Sequence, residues 1–570
     1  MMNIRLHKFP WWISLTALLF TLNGFTQNLE KIGKKDMVSI GGGLQLNSIF
    51  YDAQGFDARR DPFAWYFNGN IAVNILDVSL PFTFSYTNNQ ATYTQPFNMQ
   101  SVHPTYKWAK GHFGITSVNY SPFTLAGHVF AGGAIELTPK NLEFAAMYGR
   151  LKKAVAFDSS SLANESASFQ RMGLAGKMGF RSEKISVSAT YFHAYDDAAS
   201  LLVFPAASFL TPMENTAVSI QTNIKLLKKF QLDVDAAMSG LTRNIFSEEE
   251  TTDFTGWQKW MLTTRSTTTF KQARKFAFGY ADKIFSVKLQ YEHVDPDYQS
   301  LGAYFFNNDL QNITVQPAVR LFKGKLNIQT NIGRQRNNLD GLQAATSFRW
   351  VGSVNAAFQT TKGFSATASY SNFTAYTNRR PITDPFWVPT PADTLDFYQL
   401  AQQGQLMIVK SFGKKTWKNS ISGSLMYQQT GQQQSGVALP GTHMANANIA
   451  WTVANAPKKW SVSLMSNAAV TANNLVSTMQ LGPGLQAQKT LGITRISFGS
   501  TYNRSLVLNE LQSHLMNHRF TCAINPKLKN KKYGTPSFSV NANYVNRLPA
   551  TVTTRATSEL TVMVNAGYNF

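Results

Sequence analysis

From Met37 onward the chain repeats one unit: an alternating apolar and polar stretch, a very short turn carrying Lys or Gly, a second alternating stretch, and a longer polar connection. Val78-Ser-Leu80-Pro-Phe82-Thr-Phe84-Ser-Tyr86, Ile185-Ser-Val187-Ser-Ala189-Thr-Tyr191 and Phe285-Ser-Val287-Lys-Leu289-Gln-Tyr291 are three such stretches, and 326–332, 364–370 and 538–544 are three more. Because successive side chains on a strand point to opposite faces, each stretch predicts a strand with one apolar face and one Ser/Thr/Asn/Gln face. The aromatics at the ends of the apolar faces stand where a membrane barrel carries its interfacial girdles.

Short turns at 76–77, 138–141, 181–184, 227–229, 281–283, 323–325, 361–363, 413–415, 457–459, 488–489 and 526–534 define eleven hairpins. An opening strand at 38–51 and a closing strand at 558–570 bring the expected total to about 24 strands, within a range of about 20 to 24. The expected fold is all-β: a single large antiparallel transmembrane β-barrel over residues 37–570, with short periplasmic turns and long extracellular loops. A soluble sandwich also alternates, but it seldom holds one pattern over about 500 residues without a domain break. Gly41-Gly42-Gly43, inside the first strand, reads as a bend in the wall and not as a phosphate-binding loop.

In the closing stretch Leu560-Thr-Val562-Met-Val564-Asn-Ala566-Gly-Tyr568-Asn-Phe570 every even position is apolar. It resembles the terminal strand of bacterial outer-membrane β-barrels. That resemblance implies that Tyr568 and Phe570 are an assembly signal, with the barrel-assembly machinery as a partner during biogenesis. The stretch from Trp108 through Tyr120-Ser-Pro-Phe-Thr-Leu-Ala-Gly127-His128 to Tyr148-Gly-Arg150 resembles uncharacterised, porin-like outer-membrane proteins of Bacteroidota type. This second resemblance implies an outer-membrane location and brings no substrate or catalytic residue with it.

Residues 1–26 read as a cleaved secretory signal: Arg5 and Lys8, an apolar core from Trp11 to Leu22, and a small-residue exit at Gly24 and Thr26 before Gln27. The apolar core is too short to cross about 30 Å of hydrocarbon as a helix. Residues 27–36 are expected to be a short periplasmic segment. Energy-coupled outer-membrane receptors carry a plug domain ahead of the barrel, and the early start of alternation leaves no room for one here, so transport is expected to be TonB-independent.

Composition alters this picture in one respect. Mean hydropathy of −0.19 looks soluble, yet a barrel wall that is half lipid-facing and half lumen-facing averages to such a value. The formal charge of +22 favours anionic company: outer-membrane lipid and lipopolysaccharide, anionic solutes, or an acidic lipoprotein or periplasmic partner. No nucleic-acid-binding motif accompanies it. Cys522, the one cysteine, lies in Phe520-Thr-Cys522-Ala-Ile524 on the apolar face and reads as a packed residue. No cofactor, metal set or catalytic constellation is expected, since none of the nine histidines falls in a ligand spacing or beside a nucleophile motif.

A barrel this wide needs an internal obstruction. The segment 88–123, with Pro96, Pro104 and Pro122 among aromatics and bases, is the candidate for an inward-folded constriction, the alternative being an outward lid. On the constriction reading, deleting residues 96 to 118 is expected to raise conductance. Arg59, Arg60, Lys107, Lys110, Arg379 and Arg380 form the candidate anion-attracting set, provided their loops converge, and alternation adds Arg320 to the lumen. Alternation also sends Lys288, Glu292, Asp233 and Asp235 inward, either to select ions or to neutralise one another. The expected function is an outer-membrane channel for small polar or anionic solutes. The alternative is a non-transporting barrel that scaffolds an outer-membrane assembly or secretion complex.

Overall fold

The computed structural model describes residues 38–570 except 89–98, 157–166, 202–209, 251–253, 255, 304–307, 343–345, 347, 379–395, 435–436, 474, 527–533 and 552–554. Among the described residues the chain forms twenty-eight strand segments and almost no helix, the longest helical piece being the turn Gly256–Met261. Met99–Val102 and Thr105–Tyr106 are halves of one wall strand interrupted at Pro104, whose ring nitrogen has no proton to offer the ladder. Gly302–Ala303 lies outside the wall, which therefore has 26 strands, each antiparallel to its neighbours.

Closure is made by the first and last strands. Val38–Gln54 pairs with Thr557–Asn569 from Gly43 opposite Asn569 to Gln54 opposite Ser558, leaving no free edge. Gly42 and Phe570 extend the seam by exchanging both backbone hydrogen bonds, each 3.0 Å. At Gly42 the backbone takes φ +151°, and a Cβ there would run into the Asn70 carbonyl oxygen. The triple glycine is thus a bend set against the seam. Gly42→Val is expected to cost about 1–3 kcal/mol, seen as a lower urea midpoint for loss of the heat-modifiable folded band. An unchanged midpoint would show that the seam tolerates a side chain.

The expected count of 24 is corrected to 26, and the missing hairpin is identifiable. Its turn is Lys107-Trp108, with Lys107 in the left-handed region at φ 47°, and its strands occupy much of 88–123. Two shorter corrections accompany it. The turn expected at 488–489 falls at Gly492-Ile493, where Gly492 supplies φ 59°. The connection expected at 429–442 is mostly strand, since Trp417–Gln434 and Val437–Asn455 stay paired almost to their tips.

The outer face is apolar on every side of the barrel. Exposed Phe180, Phe278, Phe285, Phe412, Trp417, Phe538 and Tyr568 ring the short-turn end. Exposed Tyr148, Tyr195, Tyr370, Tyr427 and Tyr544 ring the strands further toward the long loops, with Ile220, Leu289, Ile332, Leu425 and Leu464 among the aliphatics between. Within the terminal strand Leu560 and Tyr568 are exposed outward, and the Tyr568 ring lies 5.8 Å from that of Phe570. No helix among the described residues is long and apolar enough to cross a membrane.

Candidate functional site in the lumen

A bridge across the inside of the barrel is built from two pieces. Strand Ala109–Ser121 and strand Leu125–Leu137 run in the wall as far as Ser117 and Ala131, and there the second strand parts from Leu142–Lys152, its wall neighbour. The freed tip, about residues 117–130, carries two register shifts that bend it. It then meets the connection that follows Phe285–Val294, where Gly302–Ala303 pairs in parallel with Leu125 and Ala126. Six wall strands separate the two parent elements, so they meet through the lumen.

Polar contacts lock this bridge. The Tyr298 hydroxyl donates to the Phe123 carbonyl (2.8 Å) and the Ser300 hydroxyl to the Thr124 carbonyl (2.5 Å). Leu301 N–H donates to Asn215 Oδ1 (3.0 Å), while the Asn215 amide donates to Ser239 Oγ (2.7 Å) and to the Gly240 carbonyl (2.8 Å). Ser239 Oγ in turn donates to the Gln299 carbonyl (2.6 Å). Burial holds the Tyr298 hydroxyl far above its usual pKa, with Asp295 adding to the effect, so it remains a donor across the neutral range.

Beneath the bridge the inner wall is apolar where alternation alone predicts polarity. Phe130, Met147, Leu151, Phe192 and Leu241 pack with Leu125 and Leu301 into one buried cluster. Phe123 reaches a second cluster with Ala273, Val294, Tyr298 and Leu310. A buried ion pair stands beside the first: Arg171 Nε and Nη2 donate to Asp196 Oδ1 (2.7 Å) and Oδ2 (2.9 Å), and Met213 N–H donates to Oδ2 (3.0 Å). From Leu310 round to Val102 the wall strands described pair only with their neighbours in the wall.

On that side lies an arginine-rich recess of about 600 Å³ near the long-loop end, lined by Tyr51, Arg59, Arg60, Arg519, Asn541 and Glu559, among others. Arg59 Nη1 is 3.7 Å from Glu559 Oε1, which also accepts the Tyr51 hydroxyl at 3.3 Å. Among the described residues neither Arg60 nor Arg519 has an ion-pair partner. Three guanidiniums facing one carboxylate leave a net positive surface with planar donors suited to carboxylate or phosphate.

The remaining candidates lie elsewhere. Lys107 sits in a short turn at the opposite end of the barrel, 3.7 Å from Asp77 and 5.1 Å from the Tyr106 ring centroid, so it does not converge with Arg59 and Arg60. Lys110 is on the inner wall opposite Glu136, beside a polar string in which Ser101 Oγ is 2.9 Å from His103 Nε2 and His103 Nδ1 is 3.0 Å from His112 Nδ1. Arg320 faces inward near the short-turn end, opposite Asn327. Arg379 and Arg380 lie outside the described residues. Lys288 Nζ and Asp233 Oδ2 are 2.8 Å apart, so this inward pair neutralises itself. Among the described residues no group of three His, Cys, Asp or Glu side chains is arranged to hold a metal.

Arg519 was not singled out by the sequence reading. The signal was its position in Arg519-Phe520-Thr-Cys522, where alternation against exposed Phe520 sends it inward.

No family model and no curated protein matches the sequence. Similar solved structures include the copper transporter OprC, 9 % identical over 92 % of this chain and 80 % of that one, with a TM-score of 0.35. BauA, the ferric preacinetobactin receptor of Acinetobacter baumannii, is 10 % identical over 93 % and 80 %, with a TM-score of 0.33. A loop-deleted OmpT, an outer-membrane protein of Vibrio cholerae, is 9 % identical over 53 % and 93 %, with a TM-score of 0.28. At such scores the likenesses carry no argument, and the fold rests on the chain's own strand pairing.

Proposed function

We propose that this chain is an outer-membrane channel that passes small polar or anionic solutes through a lumen narrowed by its own bridge. Support for a membrane location comes from the outer face. A predominantly apolar surface between two aromatic rings, repeated round a closed 26-strand wall, would aggregate in water and is satisfied by hydrocarbon. The observation that carries the channel reading is the bridge. It fills the lumen beneath one arc of the wall and leaves the facing arc lined by amides, hydroxyls and the arginine recess. A barrel of this size without an obstruction would be a wide hole, and one filled throughout would not conduct. Charged groups beside a narrowed path set ion preference, because solvent screens them less there than at an open surface.

Converting Arg59, Arg60 and Arg519 to Gln together is expected to move the reversal potential under a potassium chloride gradient toward the nonselective value, with conductance changed less than two-fold, or by about 0.4 kcal/mol. A reversal potential identical to that of the parent protein would remove the recess from the solute path.

A further inference from the structure

Five arginines point outward, and each lies beside an aromatic on the same face. Arg150 follows Tyr148 by two residues, and Arg504 follows Tyr502 by two. Arg274 stands opposite His293, one pleat above the Phe276–Tyr291 pair. Arg334 and Arg336 stand opposite Trp350 and Phe348, and the Arg334 guanidinium lies 4.7 Å from the Phe348 ring centroid. All five are exposed, and none has an ion-pair partner among the described residues. Each sits seven to ten residues above the short-turn end of its strand, on strands spread over much of the circumference. The outward bases at the opposite end are of a different kind: Lys410 and Lys489, opposite Phe364 and Trp460.

An unpaired guanidinium on a hydrocarbon-facing wall is costly unless it stands at the interface with an anion to meet. Tyrosine and tryptophan mark that interface, and arginine binds phosphate through two parallel N–H donors where lysine acts as a point charge. Histidine enriches the same level. His293 Nε2 is 3.1 Å from Asp295 Oδ1, and His514 Nδ1 is 2.6 Å from the Tyr502 hydroxyl beside Arg504. We infer that this belt docks the phosphorylated head groups of lipids in the leaflet at the long-loop end, holding a ring of anionic lipid against the barrel. The inference rests on the membrane reading proposed above.

The test compares the folded protein with a variant carrying Gln at positions 150, 274, 334, 336 and 504. Each is equilibrated in mixed micelles with a bis-phosphorylated lipid A or with the same lipid after phosphatase treatment. Bound lipid per barrel is read by native mass spectrometry. The parent protein is expected to retain several phosphorylated lipids and few dephosphorylated ones, and the variant's retention is expected to fall at least three-fold with bilayer conductance unaltered. Where the five-fold variant does not fold, the Arg334→Gln/Arg336→Gln pair gives the same reading at smaller amplitude, and Arg334→Lys/Arg336→Lys is expected to restore only part of the loss. Equal retention of both lipids, equal retention by parent and variant, or complete displacement by equimolar inorganic phosphate would overturn the belt. Failure of the parent barrel to enter bilayers of any composition would instead overturn the membrane reading.

Discussion

Excising residues 119–127, so that Val118 is joined to His128 by a two-residue linker, is expected to raise single-channel conductance about two-fold or more. The excised piece lies within the part of the hairpin that has left the wall, and it carries Phe123 and Thr124, whose carbonyls receive the Tyr298 and Ser300 hydrogen bonds, and Leu125, which pairs with Gly302. With it gone, the connection 295–309 loses its parallel partner strand and its apolar seat. The wall should survive, since Ala109 to Ser117 stays paired with Val129 to Leu137. Deleting 96–118, the cut suggested by the sequence, would remove wall strands and is expected to prevent closure. Unchanged conductance in a folded 119–127 deletion would mean that the bridge lies off the solute path.

The largest effect on stability is expected at Arg171. Its guanidinium is 9 % exposed and its partner carboxylate 4 % exposed, with a bidentate pair between them and a backbone N–H completing the set. Removing one partner leaves the other charge buried without compensation, so Arg171→Met is expected to cost about 3–5 kcal/mol. Urea unfolding of the reconstituted barrel measures it. Arg171→Met combined with Asp196→Leu should cost clearly less than the two single changes added together, because neither charge then remains. A single substitution within about 0.5 kcal/mol of the parent would show that water reaches this pair.

What was legible in the sequence divides along these same elements. The closing strand and the exposed-face strands such as Phe285–Val294 could be read residue by residue, because an apolar outer face and a polar inner face force a strict period of two. Ala109–Ser121 and Leu125–Leu137 could not. Their far ends carry Val118, Tyr120, Leu125 and Phe130, which pack as part of the bridge against Met147, Leu151 and Phe192 of the wall, so the polar half of the pattern is missing there, and Pro104 breaks the strand before them. That is why 88–123 read as a loop folding inward. What the structure brings together across the barrel is the tip of this hairpin and a segment some 175 residues later. No local pattern announces a contact of that separation. Arg59 and Arg60 were visible as a charged pair on a loop, whereas their company with Arg519 depends on the closure of strand Val38–Gln54 against Thr557–Asn569. Lys107 shows the converse: a basic residue among aromatics looked like part of a binding loop and is the left-handed corner of a tight turn.

The measurement that bears most directly on the account is single-channel recording of the purified, folded protein in a planar bilayer under a potassium chloride gradient. Discrete conductance steps with a reversal potential displaced toward the chloride equilibrium value are the predicted result. Silence from barrels shown by their heat-modifiable mobility to be folded and inserted would contradict it, and would point to a barrel whose work is to hold other proteins in the membrane.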